Sequence, residues 1–289
     1  MKPIVLTEAP ENGFNEVLDR LRSNIVVQMF EKYNLLHDQP KGLPYFSYFG
    51  LNFKEEEVVS IKVYFHWFSR LNRDELEKFL PFSDHILAYY PYYAQSNECD
   101  PSHTGCAFEV KFKANQDEVV GFYLRLKASD ETFEMLGRPE SLPDWIHLKM
   151  NPAINFEYSS KEVLLKKYYY FDEPETNRYF AKRFELPFVN RAHLVEFAES
   201  DSFCKINTMF GNDMFDVANE VNRFGKKENE LIQKLNEKFG LVNSVYGFYE
   251  GQDMKAVYFF DKDSELNPAH PRSEVYSAFH VDTMSKVLE

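Results

Sequence analysis

Helix-like stretches alternate with pairs of strand-like runs five times along this chain, and the second run of each pair carries a basic residue among aromatics. The five second runs are Ser60–Phe68, Val120–Leu126, Leu165–Phe171, Phe203–Phe210 and Asp253–Phe260. They centre on Lys62, Arg125, Lys166, Lys205 and Lys255. Each pair reads as an antiparallel hairpin, and each helix between pairs must cover the sheet to bury its apolar stripe. Ten antiparallel strands with helices outside can close into a barrel wide enough to keep a usable lumen.

The hairpins read Tyr45–Phe53 with Val58–Phe68, Cys106–Lys113 with Glu118–Lys127, and Ala153–Tyr158 with Glu162–Phe171. Ala192–Ala198 with Ser202–Phe210 and Asn243–Tyr249 with Met254–Phe260 complete the set. Helical periodicity runs over Glu11–Leu36, from a cap at Asn72, over Glu173–Phe184 and Asp213–Phe239, and again from Arg272. Between Ser129 and Asn151 the chain reads as helical or irregular. No Pro/Gly/Ser-rich linker interrupts the alternation, so residues 1–289 read as one domain of α+β class, a single ten-stranded barrel ringed by helices.

Strand alternation says which way the basic residues face. In the first hairpin Ile61, Val63 and Phe65 oppose Lys62, Tyr64 and His66; in the second Phe122 and Leu124 oppose Gly121, Tyr123 and Arg125. In the fourth Ile206 and Thr208 oppose Lys205 and Asn207, and in the fifth Met254, Ala256, Tyr258 and Phe260 oppose Lys255, Val257 and Phe259. A lysine pressed under a helix without a partner costs on the order of several kcal/mol, so the basic faces are expected to meet the lumen. Lys166 and Lys167 are adjacent, and Lys166 is taken as inward with Tyr168 and Tyr170. The first strands add Glu109, Glu157 and Glu196 to the same face. Five cations in one cavity repel, which requires an anionic ligand or pairing with those glutamates.

Composition narrows the partners. Aromatics make up 17% of residues and the net charge is −13, which suits a core or cavity rich in rings and disfavours nucleic acid. Three cysteines without CxxC spacing fit neither a disulfide framework nor structural zinc, and a reducing cytoplasm is the expected setting. No run has the length of a membrane span. Neither GxGxxG, nor a Walker loop, nor GxSxG is present.

This pattern resembles the barrel prenyltransferases of ABBA type, whose ten strands are ringed by repeated α-β-β-α units. Aromatic prenyltransferases and the cyanobactin-like peptide or amino-acid prenyltransferases belong to that family. The local matches include the final hairpin, from Val245-Tyr246-Gly247 through Lys255 to Phe260, with Lys62 and Lys205 where members often have arginine. Arg125 matches the peptide-modifying branch; Gly121 stands where aromatic members commonly have lysine, and Tyr48 roughly where peptide-modifying members have an acid.

The resemblance implies an enzyme of natural product biosynthesis. It would transfer a prenyl group, dimethylallyl above all, from an allylic diphosphate to an aromatic, peptide or guanidine acceptor. Lys62, Arg125, Lys166, Lys205 and Lys255 would hold the diphosphate, and Tyr64, Tyr123, Tyr168, Tyr170 and Phe259 would shield an allyl cation. Glu109, Glu157, Glu196 and His66 are the candidates for proton removal or acceptor binding. No tightly bound cofactor is expected; lysines replace a DDxxD magnesium cluster, while magnesium remains compatible as a helper ion. The expected partners are a prenyl diphosphate and a small-molecule or peptide acceptor, with the protein acting as a monomer. The rival reading is a non-catalytic barrel that binds an amphipathic anion or isoprenoid.

Overall fold

The structure, a computed structural model, describes residues 45–66, 71–77, 82–93, 106–113, 118–159, 162–200, 203–210, 224–239 and 241–261. The helices expected over 11–36 and beyond 272 and the first half of 213–239 lie outside the described residues.

Ten strands form: β1 (Tyr45–Lys54), β2 (Glu57–His66), β3 (Cys106–Lys113), β4 (Glu118–Arg125), β5 (Ala153–Ser159), β6 (Glu162–Phe171), β7 (Leu194–Ser200), β8 (Phe203–Met209), β9 (Leu241–Tyr249) and β10 (Met254–Asp261). Each pairs antiparallel with its neighbours in sequence, and β10 returns to pair with β1, so the barrel is closed. Closure leaves no unpaired edge, which removes the aggregation hazard of so many β-rich segments.

Five described helices intervene: α1 (Arg73–Leu76), α2 (Ser83–Tyr89), α3 (Asp130–Leu136), α4 (Pro174–Arg183) and α5 (Lys226–Phe239). Their starts follow from side-chain chemistry. Asn72 and Glu75 form a reciprocal capping box, Ser129 accepts from the Thr132 amide, and Pro174 takes a first-turn position where no amide is needed. Between Ser129 and Asn151 only α3 is regular helix, and Gly137 ends it with φ at +73°. Among the described residues no helix is long and apolar enough to cross a membrane.

The sheet has two chemically distinct faces. Its outer face carries Leu51, Val63, Val110, Phe122, Phe156, Phe197, Ile206 and Val257, all buried in one cluster under the helices. Phe180 of α4 stacks on Phe197 at 5.5 Å and also meets Phe171. Each fully buried Phe of this layer contributes about 1.5–3 kcal/mol of transfer free energy. The inner face is polar and tyrosine-rich.

One strand faces the other way from expectation. Ala256 and Tyr258 of β10 point into the lumen, whereas Phe259 stacks on Phe49 at 4.9 Å in the outer cluster. Lys255 is outside as well: its ammonium lies 3.3 Å from Glu228 of α5 and 3.7 Å from Asp253. The expectation failed because it treated a lysine under a helix as unpaired, and α5 brings a buried carboxylate to meet it. Tyr258 fits inward because its cross-strand neighbour is Gly50, where a Cβ would sit 2.8 Å from the tyrosine ring.

The first hairpin turns through Glu55 and Glu56 at φ of 51° and 63°, the doubly left-handed turn that suits strand twist. A side chain in that region costs about 1–2 kcal/mol per residue. The turn is held from outside, where the Lys227 amide of α5 donates to Glu56 at 3.3 Å.

Candidate active site

Two tiers of side chains fill the inner face. Toward the hairpin turns lies a tier of lysines and glutamates. Lys62 Nζ sits 3.5 Å from Glu109 Oε1, and Glu157 Oε1 is shared by Lys111 at 2.9 Å and by Lys166. Glu109 and Glu157 flank Gly121 in register across three adjacent strands. A Cβ at Gly121 would come within 2.9 Å of Asn155 Oδ1, so the glycine makes room for that amide between the two acids. Asn155 in turn donates to Glu109 at 3.5 Å.

Toward the connecting helices runs a belt of tyrosines. Tyr48 stacks on Tyr64 with ring centroids 4.4 Å apart, Tyr64 meets Tyr258 and Tyr123 at 6.1 Å each, and Tyr123 meets Tyr168 at 5.4 Å. The belt is tied to charge at two points. Tyr123 OH donates to Glu109 Oε2 at 2.6 Å, and Lys205 Nζ donates to Tyr258 OH at 2.7 Å. Arg125 lies over the Tyr170 ring at 4.0 Å, and Glu196 accepts from Asn207.

Lys205 reaches Tyr258 by lying across the backbone of β9. A Cβ at Gly247 would stand 2.6 Å from Lys205 Cε and 2.8 Å from its Nζ. Among the described residues Lys205 is the lumen lysine with no carboxylate within salt-bridge distance; rings of Tyr249 and Tyr258 flank it at 5.0 and 5.1 Å.

Among the described residues, five basic side chains (Lys62, Lys111, Arg125, Lys166, Lys205) therefore share the lumen with three carboxylates (Glu109, Glu157, Glu196), so basic groups outnumber acids there inside a chain of net charge −13. Low-dielectric walls focus such a field onto an entering anion. The titration of each group follows from its neighbours. Burial opposes the Lys62 charge, but Glu109 together with Tyr258, Tyr249 and Tyr168 outweighs it and holds the ammonium well above the ordinary lysine range. Burial likewise opposes ionisation of Glu109 and Glu157, and the adjacent lysines outweigh it, keeping both carboxylates ionised. Glu157 cannot fully compensate two ammoniums: burial first, then Lys111, bring Lys166 down to about 8. Burial, then Lys62, hold Lys205 well below the usual lysine value. Burial pushes the phenols of Tyr48, Tyr64, Tyr123 and Tyr168 far up, so the belt is protonated at neutral pH.

The lumen thus collects Lys62, Arg125, Lys166, Lys205, Tyr64, Tyr123, Tyr168, Tyr170, Glu109, Glu157 and Glu196 from the sequence-predicted set. Lys255 and Phe259 do not belong to it, and the side chain of His66 lies outside the described residues. Asn207 lies on the inward face expected for it beside Lys205, whereas Lys111, Asn155 and Tyr258 were not anticipated. Lys111 shares the alternation of Glu109 on β3, a signal that lay in a first strand rather than a second.

No family model matches the sequence, and no curated protein matches it either. Solved structures do. The NotF prenyltransferase superposes with a TM-score of 0.50 at 14% identity, over 76% of this chain and 81% of that one. The fold is the prenyltransferase barrel. The 6-dimethylallyltryptophan synthase from Micromonospora olivasterospora, solved with DMASPP and Trp, aligns over 80% of this chain and 83% of its own at 11% identity and a TM-score of 0.45. In this prenyltransferase barrel the polar inner face and the apolar outer face divide along every strand, and the lysine tier and tyrosine belt occupy the same lumen.

Proposed function

We propose that the lumen binds an allylic diphosphate and transfers its prenyl group, dimethylallyl in the first instance, to a nucleophilic aromatic, peptide or guanidine acceptor. The observation that carries this reading is the contact between a surplus of buried cations and an unbroken belt of neutral phenol rings.

The chemistry divides between them. Lys62, Lys166, Lys205 and Arg125 would take the diphosphate oxygens, and their charge stabilises the leaving group as the C1–O bond breaks with both electrons on oxygen. The remaining allyl cation needs π faces and the exclusion of water. Tyr48, Tyr64, Tyr123, Tyr168 and Tyr258 supply rings whose raised pKa keeps them as phenols. A phenolate there would capture the cation and inactivate the protein, so the raised pKa values protect the belt as well as the intermediate.

The acceptor lone pair or π bond then attacks C1 or C3, and the acceptor proton leaves. Glu157 is engaged by two lysines, and Glu109 by the Lys62 charge and the Tyr123 hydroxyl, so both serve the architecture of the site first. Glu196, half-buried and held by Asn207, is the carboxylate with capacity left to orient or deprotonate an acceptor.

The test is incubation with dimethylallyl diphosphate and a panel of indoles, phenols, peptides and guanidines, read by mass spectrometry. A product 68 Da heavier than its acceptor, about the mass of one C5H8 unit, is expected from bond transfer with proton loss. Binding of the donor with no product across the panel would favour a non-catalytic isoprenoid binder.

A further inference from the structure

Glu157 and its two lysines sit where an incoming anion would arrive. On β6 the residue opposite Glu157 is Leu164, one of the large apolar side chains most open to solvent at 52% exposure. Glu157 therefore stands level with this exposed position of the inner face, and Lys166 lies two residues further along β6. Both ammoniums contact the same oxygen, Glu157 Oε1. Lys111 and Lys62 face each other directly across β2 and β3, a like-charge pair that needs an anion nearby.

A single carboxylate oxygen holding two lysines resembles, in charge and geometry, one terminal oxygen of a diphosphate. A diphosphate carries more charge and more acceptor oxygens, so it can displace the carboxylate from both lysines. Building on the prenyl-transfer reading, we infer that Lys111 is a further diphosphate-binding residue and that Glu157 is a built-in competitor for the site. In the empty barrel Glu157 neutralises the lysines; during binding it yields them; after bond breaking it reclaims them and helps expel pyrophosphate. No proton or electron changes hands in this exchange.

A purely structural ion triad makes the opposite prediction for the same variants, which is what makes the inference testable. The probe is inorganic pyrophosphate, titrated into the intact protein by calorimetry. Glu157→Gln frees both lysines and is expected to tighten pyrophosphate binding about tenfold or more, and to strengthen product inhibition of turnover in parallel. Lys111→Gln is expected to weaken binding about tenfold or more, the loss of one charge-assisted contact. The double variant keeps the lumen charge of the wild type and removes both members of a buried pair, so it should fold. It is expected to bind within about threefold of wild type, because Lys166 no longer serves Glu157.

Unchanged or weaker binding by Glu157→Gln overturns the inference, and so does a double variant as weak as Lys111→Gln alone. If Glu157→Gln does not fold, the double variant decides. A wild-type protein that fails to bind pyrophosphate at all would instead sink the prenyl-transfer reading on which this one rests.

Discussion

Gly247→Ala tests the placement of Lys205 without touching a charged residue. The new methyl would lie 2.6 Å from Lys205 Cε, 2.8 Å from Nζ and 2.5 Å from Asn207 Oδ1. These contacts are with the ends of flexible side chains rather than backbone, and the backbone at 247 is not in the left-handed region, so the strand can accept alanine. Relief to an ordinary carbon contact of about 3.5 Å requires Lys205 to move by most of an ångström. That displacement breaks its 2.7 Å bond to Tyr258 and removes the ammonium from the belt's edge. One charge-assisted contact is worth about 1.5–3 kcal/mol, so pyrophosphate affinity should fall about 10- to 150-fold. Tm should stay within about 4 °C of wild type, since the core is untouched. The assay pairs calorimetric titration with a thermal melt of the same sample. Wild-type affinity in Gly247→Ala would refute the argument that Lys205 is held for an anion by the cleared strip of β9.

The outward placement of Lys255 predicts that Lys255→Met costs about 1–3 kcal/mol of stability by leaving the buried Glu228 carboxylate without its cation and held only by the Gly225 amide, while pyrophosphate affinity is unchanged. Chemical denaturation and titration of one preparation check both. Lys166, at about 8 against an unfolded value of 10.5, should make anion affinity fall as pH rises through about 8, when its ammonium is lost. Its contribution to folding runs the other way: between those values the unfolded chain binds more protons, so stability from this group rises with pH, and both trends should vanish in Lys166→Met. Tyr168→Gly opens the belt and should release prenyl alcohol and admit a longer donor such as geranyl diphosphate. Phe259→Ala should leave donor preference alone and destabilise by about 3–5 kcal/mol, measured by product ratios and denaturation.

Much of the barrel is legible because alternation and turn chemistry repeat in each hairpin. The strands fall within a few residues of the runs read from the sequence, and the inward faces of β2, β4 and β8 follow from an apolar stripe opposite a basic residue, while adjacent Lys166 and Lys167 leave that rule undecided at β6. The same rule failed at β10. There Met254, Ala256 and Tyr258 look like the core stripe, and only the tertiary meeting of Lys255 with Glu228 and of Tyr258 with Gly50 reverses the assignment. Both meetings join residues far apart in sequence, so no local pattern contains them. Lys111 was obscured for a different reason: it lies on β3, a first strand, whereas the repeated basic residue that marks the lumen lies in the second strand of each hairpin. The glycines at 121 and 247 carry no chemistry of their own. Their role appears only once Asn155 and Lys205 are seen lying over them.

The most direct test of the account needs no knowledge of the acceptor. Wild-type protein is incubated with isotopically labelled dimethylallyl diphosphate alone, and pyrophosphate and volatile alcohols are measured over hours. If the lysines draw off the diphosphate and the tyrosine belt holds an allyl cation, slow hydrolysis should exceed the uncatalysed rate. Water should then capture the cation at both C1 and C3, giving primary and tertiary alcohols together. Lys205→Met should suppress both in proportion. Donor bound to the wild type without pyrophosphate release or either alcohol above background would contradict the central claim that this lumen ionises an allylic diphosphate.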